Sequence, residues 1–274
     1  MSLKRIITLT TDFGTGDPYV AAVKGAILTI NRDATIVDVS HDLKPQQIEQ
    51  AVFVLSSALP YFPRNSIHIV VADPEVGTER RALALVAGEV VFIGPDNGVL
   101  SPGLTDGERE GAVNGPSAVP VPTGKRAFLL TNPRYQLSPT SATFHARDIF
   151  GPAAAHLSTG ITPSSFGPGV GQITALPPFR GNHVEGGSLV GRIIHIDRFG
   201  NAITTIRGEQ LPPGTLRIDV RDREIEGLSR SYAERDGLLA LIGSSGFLEV
   251  ALNSGSAADA LGVELGDLVS VRAI

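Results

Sequence analysis

"SIHIVVADPEVGTERRALALVAGEVVFIG", residues 66–94, decides the fold. Its apolar run stops at Asp73, at a turn followed by two adjacent arginines, Arg80 and Arg81. The next residues, "ALALVAGEVVFIG", predict two short strands around Gly88-Glu89. Upstream, "RIITLTTD" and "ATIVDVSH" are two further short apolar runs. Between the first two runs lies "DPYVAAVKGAILTI", with Val20, Val23, Ile27 and Ile30 at helical spacing. Asp17 is its expected N-cap and Pro18 its first helical residue. Pro45 is expected to open a second helix that carries Ile48, Val52, Leu55 and Leu59 on one face. Strand, helix, strand, helix, strand implies right-handed crossovers and a parallel sheet.

Downstream, "RAFLLTN" reads as another strand and "RDIFGPAAAHLS" as a helix beginning near Arg147. Residues 162–188 are rich in Pro and Gly and read as a linker. Beyond them "SLVGRIIHID", "NAITTI", "TLRIDV", "GLLALIGSS", "FLEVALN" and "DLVSVRAI" are short β-like runs between turn residues. They predict a small antiparallel barrel or sandwich. The expected organisation is therefore an α/β domain over 1–165 with a three-layer, mostly parallel sheet. A linker over 166–187 and a smaller all-β, barrel-like domain over 188–274 follow.

Composition narrows the functional classes. The chain has 274 residues, 42% hydrophobic and 19% charged, with a net charge of −5. That balance suits an ordinary globular protein and argues against a basic nucleic-acid surface. With no Trp and four Tyr, base-stacking platforms are not expected. No apolar run reaches the length of a bilayer span. The charged residues come too early in "MSLKRIITLTTDF" for a signal peptide, so a cytoplasmic location is expected. The absence of cysteine removes thiolate nucleophiles, disulfides and Cys-ligated zinc. No H-E-x-x-H is present, and neither a metal nor a cofactor is expected.

The early strands end in Asp12, His41 and Asp73. In open parallel sheets the ligand crevice lies outside those carboxyl ends. "TTDFGTGD" offers Asp12 as an acceptor for a sugar diol, although it is neither a dinucleotide fingerprint nor a phosphate loop. In "TFHARDIFGP", His145 reads equally as a packed core histidine and as a catalytic group, and Asp148 as a helix N-terminal charge. "HIDRFGNAIT" places Asp197 and Asn201 about Gly200. A turn explains them, and so does recognition of an amine and an amide edge. "GSSG", 243–246, is a hairpin tip or a set of donors for an anion.

Taken in order, "TLTTDFGTGDPYVAAVKGAI", "DVSHDL", "VVADPEVGTERRAL", "IGPDNGVLSP", "TNPRYQLSPTSATFHARDIFGPAA", "IHIDRFGNAITTI" and "IGSSGFLEVALN" resemble the S-adenosylmethionine hydrolases, or hydroxide adenosyltransferases. These are homologous to the nucleophilic fluorinase and chlorinase. The resemblance implies attack of water on C5′ of the adenosyl group, yielding adenosine and methionine. It assigns catalysis to Asp73, Arg80 and His145, and ribose binding to Asp12. Asp197, Asn201 and Ser244 fall on contacts to methionine or adenine. Asp17 and Tyr19 lie beside the ribose and methionine, and the backbone near Asn253 and Ser254 meets the adenine. It also implies a homotrimer with sites at subunit interfaces. The halogenases carry Tyr where Asp73 stands, which favours hydrolase over halogenase; a non-catalytic binder of S-adenosylmethionine or adenosine is the other alternative. Three positions depart from the family pattern. Glu75 stands for a glycine and is expected to strain its turn if φ is positive there. Ala146 also replaces a glycine, and Gln46 stands near an aromatic position.

Overall fold

The computed structural model describes residues 5–113, 115–184 and 187–274. Residues 1–4, at the start of the stretch weighed as a leader, and 185–186 of the expected linker lie outside them. The chain divides into two units, Met1–Pro178 and Phe179–Ile274.

In the first unit the expected alternation forms. Strands β1 (Ile6–Thr11), β2 (Thr35–Ser40) and β3 (Ile67–Val71) alternate with helices α1 (Tyr19–Ile30) and α2 (Ile48–Ala58). The hairpin β4 (Ala82–Ala87) and β5 (Val90–Pro95) follows, then β6 (Ser117–Pro120), β7 (Lys125–Leu129), α3 (Gly151–Ser158), β8 (Gly169–Val170) and β9 (Gln172–Ala175). The main sheet has the order β2-β1-β3-β5-β4-β7-β8, and β6 pairs with β9. β2, β1, β3 and β5 are mutually parallel; β4 is antiparallel to β5 and to β7. Five of the seven strands thus run one way.

Period-two alternation builds two cores from one sheet. Ile67, Ile69 and Val71 join α1 and α3 on one face, whereas Val70 and Ala72 join α2 on the other. The result is the three-layer arrangement. Ile69 is fully buried, so Ile69→Ala is worth about 2–5 kcal/mol in lost packing.

Local details differ from the sequence reading. The N-cap of α1 is Pro18, and no side chain caps it; Asp17 is exposed and sits one residue too early. Helix α2 begins at Ile48 rather than at Pro45. Gln46 has φ 66°, a left-handed conformation that keeps the chain from turning helical before it. Residues 169–175, inside the expected linker, form β8 and β9 because β7 and β6 offer open edges.

The second unit contains β10 (Asn182–His183), β11 (Leu189–Ile196), β12 (Ala202–Arg207), β13 (Leu216–Val220), β14 (Arg223–Glu226), β15 (Leu238–Ile242), β16 (Phe247–Leu252), α4 (Ala257–Leu261) and β17 (Leu268–Ala273). The order β14-β13-β17-β11-β12-β16-β15 is antiparallel throughout. Just past β14, Ser229 N–H donates to Ala240 O of β15 at 2.8 Å, so the sheet curls almost into a closed barrel around its apolar centre. Among the described residues no helix is long and apolar enough to cross a membrane.

His68 shows how the sheet tolerates a polar group. It is buried, its Nδ1 lies 2.7 Å from Thr8 Oγ1, and its ring stacks on Phe92. Burial pushes its pKa down to about 4. The folded protein holds this ring neutral, so its contribution is complete above the usual histidine value. It is lost as pH falls from about 6.5 toward 4, by about 3 kcal/mol in all. Denaturant titrations at several pH values will show this slope in the wild type and a flatter one in His68→Phe; equal slopes would refute the assignment.

Candidate functional site

Asp73 lies just past the carboxyl end of β3, where Pro74, lacking an N–H, cannot continue the ladder. The buried Asn97 side chain donates to Ala72 O at 2.9 Å and steadies that strand end. A turn then brings the chain back. Thr78 Oγ1 donates to Glu75 O at 2.8 Å and accepts from Arg80 N–H at 3.2 Å. Arg80 is thereby aimed at Asp73: its Nε lies 3.0 and 3.1 Å from the two carboxylate oxygens, and its Nη2 also donates to Oδ2. Both side chains are about 95% buried. Arg81 points elsewhere and pairs with Asp96, so adjacent arginines have separate partners.

The same Arg80 Nη2 lies 2.8 Å from His145 Nδ1. A guanidinium has no acceptor, so Nδ1 must accept and the neutral ring carries its proton on Nε2. Burial lowers the pKa of His145 and the Arg80 charge lowers it further, against the pull of Asp73 and Asp148. Arg80 thus fixes both the charge and the tautomer of His145.

Asp12, at the end of β1, completes the group. Its Oδ2 accepts the Gln46 N–H at 2.7 Å. Burial raises its pKa, the backbone hydrogen bonds oppose that, and nearby Asp73 adds to it. A pocket of about 210 Å³ is lined by Asp12, Asp73 and His145, with Phe13, Pro45, Gln46, Val71, Val76, Thr143, Phe144 and Ala146 as further walls. Tyr19 does not line it but packs on two residues that do, with its ring centroid 5.4 Å from that of Phe144 and 6.1 Å from that of Phe13. Asp17 does not line it. Nor does His41, which turns inward onto Thr11 Oγ1 at 2.7 Å. Glu75 is exposed, and the turn's positive φ falls on Gly77 instead, so Glu75 carries none of the strain expected of it. Ala146 is buried in the pocket wall.

A second pocket, of about 640 Å³, lies in the barrel unit. Asp197, Phe199, Asn201, Tyr232, Leu252, Ser254 and Gly255 line it. Asp197 Oδ1 accepts the N–H groups of Phe199 and Asn201, and Oδ2 accepts Asn201 Nδ2, all at 2.9 Å. These bonds are the ones the turn reading of this segment calls for. Ser244 sits on the exposed tip of the β15–β16 hairpin, and Asn253 donates to Arg235 O at 3.2 Å; neither lines this pocket. Tyr232 was not foreseen. Its hydroxyl donates to Glu249 at 2.9 Å, and burial, together with Glu249, pushes its pKa up to about 12. The signal for Glu249 was a carboxylate within the apolar run "FLEVAL". Burial raises its pKa. It explains Gly243 too, where a Cβ would fall 1.7 Å from Glu249 Oε1.

The fold and the two pockets define a two-part protein, α/β followed by a β-barrel, with a charged cleft at the carboxyl edge of its parallel strands. Comparison with known proteins agrees. Residues 7–167 match the SAM hydroxide adenosyltransferase N-terminal domain and residues 191–270 match the corresponding C-terminal domain. A Thermus thermophilus protein named (R)-S-adenosyl-L-methionine hydrolase is 38% identical, covering 96% of this chain and 97% of that protein. A fluorinase from Actinoplanes is 26% identical over 75% of this chain and 73% of its own. The crystal structure of an uncharacterized conserved protein from Thermotoga maritima superposes with a TM-score of 0.82 at 30% identity, covering 97% and 99% of the two chains. The chain belongs to the SAM hydroxide adenosyltransferase family.

Arg80→Met leaves the Asp73 carboxylate buried without its cation and will destabilise the fold by about 3–5 kcal/mol. It also removes a charge that lowers the His145 pKa, so His145 will titrate at higher pH. Chemical denaturation and histidine-selective NMR measure the two effects; a wild-type His145 titration in the variant would contradict the contact described.

Proposed function

We propose that this protein hydrolyses S-adenosyl-L-methionine to adenosine and L-methionine. The observation that carries the reading is Arg80 bridging Asp73 and His145 on a pocket that also holds Asp12. The name printed for the Thermus relative points the same way.

In this reading Asp12 accepts from the ribose hydroxyls, as its free lone pairs allow. Water is held at Asp73 and His145. With Nδ1 occupied by Arg80, His145 offers only Nε2–H and orients the water as a donor, which leaves Asp73 to take its proton. The oxygen bonds to C5′, the C5′–S bond breaks, and the electron pair stays on sulfur. Methionine leaves as a neutral thioether, so no acid is needed and no cofactor enters. Phe13, Val71, Val76 and Phe144 limit stray water. In the barrel unit, the exposed Phe199 ring and the Asn201 amide suit a purine face and edge, and Asp197 suits an amine; Ser254 lines the same pocket. Tyr19, Asp17, Ser244 and Asn253 serve as outer contacts. We further assign the protein to the cytoplasm as a homotrimer whose sites are completed between subunits, on the strength of the family resemblance.

Incubation with S-adenosylmethionine, followed by chromatography, will show adenosine and methionine in equal amounts. Asp73→Ala and His145→Ala will each lose about 10²-fold or more in kcat while still binding ligand. Bound substrate with no adenosine formed would sink the hydrolase and leave a binding protein. Formation of 5′-chloroadenosine in chloride would instead establish a halogenase.

A further inference from the structure

Asp148 is fully buried, yet it lies outside the pocket and the proposed chemistry does not use it. It sits in the single wide turn, Ala146–Phe150, between His145 and α3. Arg147 grips its carboxylate with two bonds, Nε to Oδ1 at 2.6 Å and Nη2 to Oδ2 at 2.8 Å. Ser141 N–H donates to the same Oδ2 at 2.8 Å, and Leu137 N–H donates to the Asp148 carbonyl at 2.9 Å. Asp148 N–H returns to Phe144 O at 3.2 Å. One residue therefore holds the preceding loop at three points. The Arg147 guanidinium also lies over the Phe144 ring, 5.0 Å from its centroid.

The loop has a second anchor. Gly77, in the turn between Asp73 and Arg80, has φ 84°, and a Cβ there would fall 2.4 Å from Ala142 O. The turn that carries Asp73 and Arg80 thus lies directly against the loop that carries Thr143, Phe144 and His145. Only glycine permits both the backbone angle and the approach.

We propose that the Arg147–Asp148 pair is a positioning clamp: it holds residues 141–145 against the Gly77 turn, so that His145 meets Arg80 and Phe144 walls the pocket. Neither residue lines the pocket or meets the reacting atoms; the pair acts through Phe144 and His145. The kinetic part of this inference rests on the proposed hydrolysis; the structural part does not. Asp148 is well suited to the task. Burial opposes its charge, but the hydrogen bonds from Arg147 and Ser141 outweigh that and hold its pKa below the usual range. Displacing a reacting group by about 1 Å costs on the order of 10²-fold in rate.

The test follows the His145 titration by histidine-selective NMR, assigned with His145→Gln, together with steady-state kinetics. The charges facing His145 are Arg80 and Asp73 from the opposing turn, Asp12 across the pocket, and Arg147 and Asp148 on its own segment. Release of the clamp takes His145 out of its buried place beside Arg80, and burial and Arg80 lower its pKa more than Asp148 raises it. The titration therefore moves to higher pH in both Asp148→Asn and Arg147→Gln. Both variants lose about 10-fold to 100-fold in kcat with KM little changed. A pair acting by charge alone would shift the two variants in opposite directions and leave kcat near the wild-type value. Arg147 is partly exposed, so if Asp148→Asn does not fold, Arg147→Lys, which keeps the charge and loses the two-bond grip, decides the matter by the same losses. Wild-type titration and kcat in the folded variants, or opposite shifts with kcat unchanged, would overturn the clamp. If the wild type turns over no S-adenosylmethionine, the hydrolase reading falls and the NMR shifts still judge the clamp.

Discussion

A buried guanidinium between a carboxylate and an imidazole is the constraint on which the first unit's cleft depends. Arg80 and Asp73 are both withdrawn from water, and neither charge is tolerable there without the other. The pair is held by a strand that ends at Pro74 and by a turn tied through Thr78. The turn in turn needs Gly77, because the loop bearing His145 passes too close for a side chain. Sheet edge, turn and loop are therefore a single assembly. A change in any of them reaches His145 through Arg80.

That dependence bears on the division of labour proposed for the cleft. Histidine in an active site is usually considered first as a base. Here its Nδ1 is already an acceptor for Arg80, which leaves a donor facing the pocket. Asp73 keeps unshared lone pairs despite its contacts with Arg80. Asp12 is aligned by the Gln46 N–H, at a residue held in the strained left-handed region. The two aspartates at neighbouring strand ends thus have different partners, a guanidinium for one and a backbone amide for the other, which suits the different work proposed for them.

Much of this was legible in the sequence. Runs ending in Asp12 and Asp73 located the sheet edge, and helical spacing at Val23 and Ile27 placed α1. What was hidden depended on contacts between distant segments. Nothing local says that Arg80 turns toward Asp73 and Arg81 toward Asp96. The αL residue at Gln46 moved the start of α2, since Pro45 signals a helix only if the next residue can be helical. The short strands β8 and β9 escaped notice because Pro and Gly dominate their composition while neighbouring edges supply their hydrogen bonds. In the barrel, Glu249 breaks an apolar pattern, but its partner Tyr232 lies in a loop with no periodicity to reveal it. Glu75 failed as a warning because the turn places its positive φ two residues later.

The charge balance of the cleft bears on which nucleophile it suits. Asp12 and Asp73 face one guanidinium, and Arg80 is already engaged by Asp73 and His145. An entering halide would meet two carboxyl groups and no uncommitted cation among the residues lining that pocket. Water carries no charge, donates to a carboxylate and accepts from Nε2–H. A sulfonium is attracted by the same acidic surroundings that repel an anion. Once the C5′–S bond breaks, that attraction disappears, because the thioether is neutral. The same carboxylates that draw the proposed substrate in therefore lose their hold on the methionine sulfur after reaction.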